Sequence, residues 1–402
     1  MSNVKYSPDV EKCAVLPLIS QAHKSTFLLE NFSFQRQTSY ANMRTGAPQT
    51  IRLIAFFPPP LNGQSLMSSK TAAFIEKHLP SDRININSKS NFKKLALQML
   101  AAMRILFSSR RGTIYTTPPG QLGLWSFLII IAAARIRKTE IFVHHHSFRP
   151  INCGPLQSVR ALNKIGGKYL THIFLSERMM ESYFCTYPTN EKNGIVLPNA
   201  FAFPPSLSLP QTPTGPITIG HLSVLTHAKG VTYAIQLFDR LRQTHPNLRM
   251  ILAGPISEPS IKPWIDGAIA QHKDNFAYLG PIDGDTKSRF FSDIDIFLLP
   301  STLVDEADPL VLQESYEAGV TVMAPKTGCI AERLIDHTAL LSLDLNTDVS
   351  NILTFIGEIQ SNRHQIRMQN WLHAKKSFES ASHFTQNFLN ALARPNSADP
   401  SS

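Results

Sequence analysis

The sequence predicts an α/β fold of two doubly wound parallel-sheet domains, and three observations lead there. Short apolar runs, each followed by a polar loop and a helix-like stretch, recur from residue 51 to residue 392. That is the pattern of strands buried on both faces with helical crossovers between them. A chain of 402 residues with 43 % hydrophobic content can bury two substantial cores. Residues 203–216 carry several prolines and few apolar side chains, the composition of a linker. The expected division is therefore a first domain over 50–200, a linker over 201–216 and a second domain over 217–370.

Residues 1–49 mix polar and isolated apolar residues with no sustained period, so a disordered extension is expected, with Met43 a natural start for the compact part. In the first domain the apolar run 51–57 leads into a loop, 58–65, bearing Gly63, and then a helix to His78. The loop lacks the Gly-x-Gly-x-x-Gly dinucleotide fingerprint, so no nicotinamide or flavin cofactor is expected. Residues 89–111 combine Phe92, Leu95, Met99 and Met103 with Lys93, Lys94, Arg104, Arg110 and Arg111. Two readings stay open for this helix: attachment to an anionic membrane surface, or an ordinary domain helix with snorkelling cations. Residues 113–117 read as a strand. Residues 124–134 are the most apolar stretch, about half the length a membrane-spanning helix needs, and are expected to form a buried crossover helix. The strand over 140–146 ends in His144, His145 and His146; alternation of side chains along a strand keeps all three from binding one metal. Further strands are expected over 172–175 and 194–197.

In the second domain, strands are read at 217–223, 248–253 and 276–279, with a helix running to about Gln243. Lys229-Gly230 precedes that helix. Another helix begins over 287–291, and residues 295–300 are a short apolar strand. Residues 301–308 then form a polar loop at its carboxyl end, where ligands of open α/β sheets bind. From Pro309 the residues fit a helix that stops at Gly319, with Pro309 as its first helical residue. Its N-terminus, near Leu310 and Val311, suits a phosphate. Glu306 lies before that terminus and Glu314 about one and a half turns inside, a spacing that suits a sugar and a ribose on either side of a diphosphate. Read as an arbitrary pair, they are a solvated loop glutamate and a surface helix glutamate. A strand at 320–325, a loop with Gly328, helices over 349–361 and 363–392, and a disordered tail from 393 complete the reading.

The net charge of +10 and pI of about 9.4 call for an anionic partner. No stacking platform or zinc-finger signature accompanies the basic residues, so nucleic acid is not expected. Cys13, Cys153, Cys185 and Cys329 are scattered without metal or disulfide spacing, which fits a reducing cytoplasm. Nor does a secretory signal pattern open the chain.

The run Pro300-Ser301, then Glu306-Ala307-x-Pro309-Leu310-Val311-Leu312-x-Glu314, closing on Ala318-Gly319, resembles the donor-site signature of the family-4 glycosyltransferases. Lys229-Gly230, Ser176-Glu177 and Pro198-Asn199 occur in the family's order across residues 51–390. The resemblance implies the GT-B fold, two Rossmann-like domains facing a central cleft, with the last helix, 371–392, crossing back to the first. It implies retaining hexosyl transfer from a nucleoside-diphosphate sugar to a saccharide or lipid-linked saccharide acceptor, without a metal or other cofactor. By the same resemblance Lys229 neutralises the diphosphate with the amides of Leu310 and Val311. Glu306 meets the donor-sugar hydroxyls, Glu314 the ribose, and Gly63 and Gly328 border the ligands. His146 lies near the reacting sugar in a positioning or charge-stabilising role. The chain departs from the pattern at Val224, where arginine is common, and at Pro309, where glycine is frequent. A noncatalytic binder of sugar nucleotides and a nucleotide-sugar epimerase are the alternatives on the same fold.

Overall fold

A computed structural model describes residues 50–394, apart from 60–61, 110–111, 121 and 190–191. The expectations for residues 1–49, for a start at Met43, for Arg110 and Arg111 and for residues 395–402 lie outside the described residues.

The first domain is a six-stranded parallel sheet: β1 (Ile51–Ala55), β2 (Ser81–Asn85), β3 (Ile114–Thr116), β4 (Ile141–His144), β5 (Leu170–Phe174) and β6 (Gly194–Val196), in the order β2-β1-β3-β4-β5-β6. The second repeats the design with β7 (Thr218–Leu222), β8 (Arg249–Ala253), β9 (Phe276–Tyr278), β10 (Ile296–Leu298), β11 (Thr321–Pro325) and β12 (Leu340–Leu341), ordered β12-β11-β10-β7-β8-β9. Every strand pair in both sheets is parallel. Strands β3, β4, β10 and β11 are buried along their whole length, which is why they read as unbroken apolar runs. In each sheet the strand order reverses beside the first strand, at β1/β3 and at β7/β10. Those two switch points are where crossover loops part and leave a crevice.

Several elements carry no strong local signal. Strand β2 is an edge strand of sequence Ser-Asp-Arg-Ile-Asn in which Ile84 alone is fully buried. An edge position asks for little apolar surface, so no periodicity betrays it. The helices Gln157–Gly166 and Lys262–His272 also escaped the sequence reading, being short and rich in polar residues. Where the sequence suggested a helix starting at Pro309, Pro309 is instead the N-cap, in extended conformation, of the helix Leu310–Glu317.

The last helix runs from Leu345 to Ala393 and breaks at Asn362, whose backbone is not helical. It ends at Ala393, one residue into the stretch expected to be the tail. Beyond the break, Arg363 pairs with Asp295 at 2.5 Å and donates to Gly215 O, tying the helix to the second sheet. Ala374 still belongs to the second core, while Ala381, Phe388 and Leu392 pack into the core beneath the first sheet. Phe388 is fully buried and meets Tyr115 of β3 edge to face, 6.1 Å between ring centres. Truncation of such an aromatic removes both transfer energy and packing. Phe388→Ala is expected to destabilise the chain by about 3–5 kcal/mol, read as a lowered midpoint in urea denaturation, whereas Phe107→Ala, at an 85 % exposed position, leaves the midpoint unchanged.

Candidate active site

The loops after β7 and β10 flank the switch point of the second sheet and carry Lys229 and Glu306. Lys229 ends a short 3-10 turn, His227–Lys229, capped by the Thr226 side chain. Gly230 follows with φ +80, and a Cβ there would fall 2.1 Å from Pro300 O. Only glycine allows this approach, and Thr302 N–H donates to Ala228 O at 2.8 Å beside it. The two loops are thus seamed together. Lys229 Nζ donates to Glu306 Oε2 at 2.6 Å, and Ser301 Oγ donates to the same oxygen at 3.0 Å. Glu306 is only 7 % exposed, so its charge is held by one cation and one hydroxyl in a site of reduced dielectric.

Gly328 closes this site from the other side. Its φ is +57, and a Cβ would stand 2.4 Å from the carbonyl oxygens of Glu306 and Ala307. Cys329 N–H donates to Ala307 O at 2.7 Å. The loop after β11 therefore braces the Glu306 backbone directly.

His146 follows β4 in the first domain. His144 and His145 diverge as strand alternation requires: Tyr115 OH bonds His144 Nδ1 at 2.8 Å, and His145 Nε2 lies 2.9 Å from His172 Nδ1. The rings of His144 and His146 share one side, 4.1 Å apart. Burial pushes the His146 imidazole down to about 4, so it is neutral near pH 7, and its Nε2 is buried without a hydrogen-bond partner. A buried polar atom left open marks a place for a ligand group.

The link between the two loops was not legible in the sequence. Asp305, next to Glu306, accepts from Ser147 Oγ at 2.8 Å and from Arg149 Nε and Nη2 at 2.9 and 2.7 Å. Phe148 N–H donates to Asp305 O, and Asn152 Nδ2 to Val304 O. Burial pushes the Asp305 carboxyl up, but the bonds from Arg149 and Ser147 outweigh it and hold it below its usual value. A second seam joins Arg333 to Asp308 through both carboxylate oxygens and to Leu175 O of the first domain. Ser176 donates to Glu332, and Asn199 to Asp308 O.

The helix Leu310–Glu317 supplies the remaining residues. The Leu310 side chain packs against the first-domain core and Val311 against the second, so each has only its backbone amide to offer a ligand, as the first amides of a helix do. Glu314 Oε1 accepts from Lys287 Nζ at 2.5 Å, while its Oε2 is buried without a partner. Lys287 stood in the sequence only as the opening of a helix. Gly63 is set apart from these contacts: it is the first residue of the helix Gly63–His78, after an Asn62/Ser65 capping box, and its Cα faces open space. Val224 is half exposed. His227 is engaged with Ser260 Oγ at 2.9 Å.

One turn beyond Glu314, Glu317 has its carboxyl pushed up to about 7 by burial and by the Glu314 charge. A carboxyl raised in the folded state adds stability in full below its unfolded value and loses it as pH rises through the folded one. Wild-type stability is therefore expected to fall between about pH 4.5 and 7 relative to Glu317→Gln. In thermal melts across pH 4–8 the gap between the two proteins should widen with pH and level off above about 7; a constant gap would refute it.

Residues 210–364 match the model of the family described as glycosyl transferases group 1. No curated protein sequence matches the chain. Among solved structures, HepE of Anabaena, determined in complex with UDP and glucose, superposes with a TM-score of 0.64 at 16 % identity, covering 86 % of this chain and 99 % of that one. WaaG, a glycosyltransferase involved in lipopolysaccharide biosynthesis, gives 0.58 at 12 % identity over 86 % and 100 %. OtsA gives 0.62 at 12 % over 86 % and 99 %. At these identities the structural likeness is one of fold. Two six-stranded parallel sheets joined by a returning helix form the GT-B architecture, and the family match falls on the half that carries Lys229, Glu306 and Glu314: residues 210–364 are a glycosyl transferases group 1 domain.

Proposed function

We propose that the protein is a retaining transferase that moves a hexose from a nucleoside-diphosphate sugar to an acceptor hydroxyl. The acceptor is a saccharide or lipid-linked saccharide of a bacterial surface polysaccharide or glycolipid, met at the inner face of the cell membrane. The observation that carries the reading is the Lys229–Glu306 pair at the second switch point, laced through Asp305 to the loop that follows His146. HepE, with the same fold, holds UDP and glucose.

In this reading the donor diphosphate enters beside Lys229 and takes over its ammonium, joined by the amides of Leu310 and Val311 at the positive end of their helix. Glu306, released from Lys229 but still bonded to Ser301, accepts from donor-sugar hydroxyls, and Gly328 leaves room beside it. The open Oε2 of Glu314 accepts from ribose hydroxyls, with Lys287 compensating its charge. As the bond from the anomeric carbon to the diphosphate oxygen breaks, negative charge grows on the leaving group, where the cation and amides stabilise it. The acceptor oxygen bonds to the same face of the anomeric carbon, and its proton leaves with the diphosphate. Neutral His146 cannot supply a positive charge; its open Nε2 holds a hydroxyl of the reacting sugar in place. Gly63 sits on the acceptor side, beside the crevice at the first switch point.

Incubation with a panel of nucleotide sugars and a membrane extract should give sugar transfer with retained anomeric configuration, read by NMR. Lys229→Ala is expected to lower kcat roughly 10²–10³-fold, the range for loss of one charge-stabilising donor, and Glu306→Ala should act comparably. Donor binding without transfer, an isomerised donor, or inverted product would each overturn the proposal.

A further inference from the structure

The helix Asn91–Leu106 presents its apolar side to solvent. The residues it buries are Gln98, Ala101, Ala102 and Ile105, whereas Phe92 is 79 % exposed and Met99, Leu100 and Met103 are each more than 40 % exposed. Phe92, Met99 and Met103 recur at helical spacing on one stripe, with Lys93 and Arg104 along its edge. The neighbouring helix, Gly123–Ile136, packs against it; it buries Phe127, Leu128, Ile130 and Ile131 in the core and also carries Trp125, Ile129 and Ile136, with its N-cap Leu122, at 51, 39, 70 and 84 % exposure. Leu95 and Leu122, one from each helix, line a common groove, so the two stripes meet. A soluble face rarely exposes so many large apolar side chains together.

Charge says what covers them. Between Arg83 and Thr139 the sequence contains no aspartate or glutamate, while Lys89, Lys93, Lys94, Arg104, Arg137 and Lys138 fall within that span. Exposed apolar side chains on a segment whose only charges are cations match an anionic lipid surface, which takes the side chains between its headgroups and the ammonium and guanidinium groups at their phosphates.

The groove leads from this face to the crevice at the β1/β3 switch point. Phe56 and Asn62 from the loop after β1 and Gln64 from the helix that follows, with Asn87, Lys94 and Gln98, line it. Gln98 is 2 % exposed, and its side-chain oxygen has no hydrogen-bond partner. A buried amide oxygen left open on a polar groove suits a sugar hydroxyl. We infer that the exposed face of these two helices docks on an anionic bilayer and that the groove takes the polar head of a lipid-anchored acceptor. The groove assignment rests on the transferase reading; the docking face does not.

The test is flotation of the full chain with vesicles of phosphatidylcholine alone and of phosphatidylcholine with phosphatidylglycerol, with Trp125 emission as a local reporter. Binding to the anionic vesicles only, with a blue shift lost in Trp125→Phe, is expected. Phe92→Ser/Met99→Ser and Lys93→Glu/Arg104→Glu should each weaken it about tenfold or more, with unchanged melting temperatures because all four residues are exposed. Lys229→Ala should float like wild type while losing transfer, so failure of the transferase reading would be distinguishable. Gln98→Leu should bind vesicles normally but incorporate less label from UDP-hexoses into a membrane lipid extract. Equal binding to neutral vesicles, no binding, or a self-associated chain that the stripe variants dissociate would overturn the docking face; unchanged labelling by Gln98→Leu would overturn the groove.

Discussion

The carboxylate of Asp305 is the joint on which the site depends. It takes bonds from Ser147 and Arg149, residues that follow His146 in one domain, and it precedes Glu306 in the other. Each sheet has its own core, and Ala307 and Cys329 of the second domain join the core of the first. What Asp305 adds is registry between the loop that follows His146 and the loop that carries Glu306. A two-oxygen, guanidinium-bound carboxylate suits that task because its geometry is directional as well as charged. It is also partly exposed, with 28 and 29 % of the two side chains accessible, so solvent screens it; the second seam, Arg333 with Asp308 and Leu175 O, is the more buried of the two.

Around that joint the second domain is rigid for steric reasons. Gly230 and Gly328 each bring a backbone within van der Waals distance of the β10 loop, with no room for a side chain. Glu306 is therefore positioned by three loops at once, and its carboxylate by Ser301 and Lys229. Under the proposed function this is the donor side, a preorganised pocket of backbone and charge. The proposed acceptor side is built differently, from a helix whose large apolar residues turn outward and from a groove with an unfilled hydrogen-bond position at Gln98. In that proposal the donor diffuses to the protein and the protein goes to the acceptor.

The last helix connects these halves. Arg363 anchors its broken end to Asp295 of the second domain, and Phe388 inserts beneath the first sheet. Its break at Asn362 falls between the two segments that the residue pattern separates, next to the Arg363 that pairs with the buried Asp295 carboxylate.

The sequence by itself determined the strands that are buried on both faces, the loops at their carboxyl ends, and the glutamates, lysine and histidine those loops carry. These are local matters: an apolar run of four or five residues needs a sheet on both sides, and a polar loop after it lies at the sheet's edge. The edge strand β2 was invisible because one buried isoleucine makes no period. Pairing was invisible too. Lys287 finds Glu314 and Arg149 finds Asp305 across 27 and 156 residues, and no local pattern encodes a partner that distant. The helix Asn91–Leu106 draws the line most sharply. Its residues specify an amphipathic helix with cations at its edge, but whether the apolar stripe faces inward or outward depends on what already fills the space beneath it. There the helix buries Gln98, Ala101, Ala102 and Ile105 and leaves Phe92, Met99 and Met103 to solvent, a choice that exists only once the tertiary structure is formed.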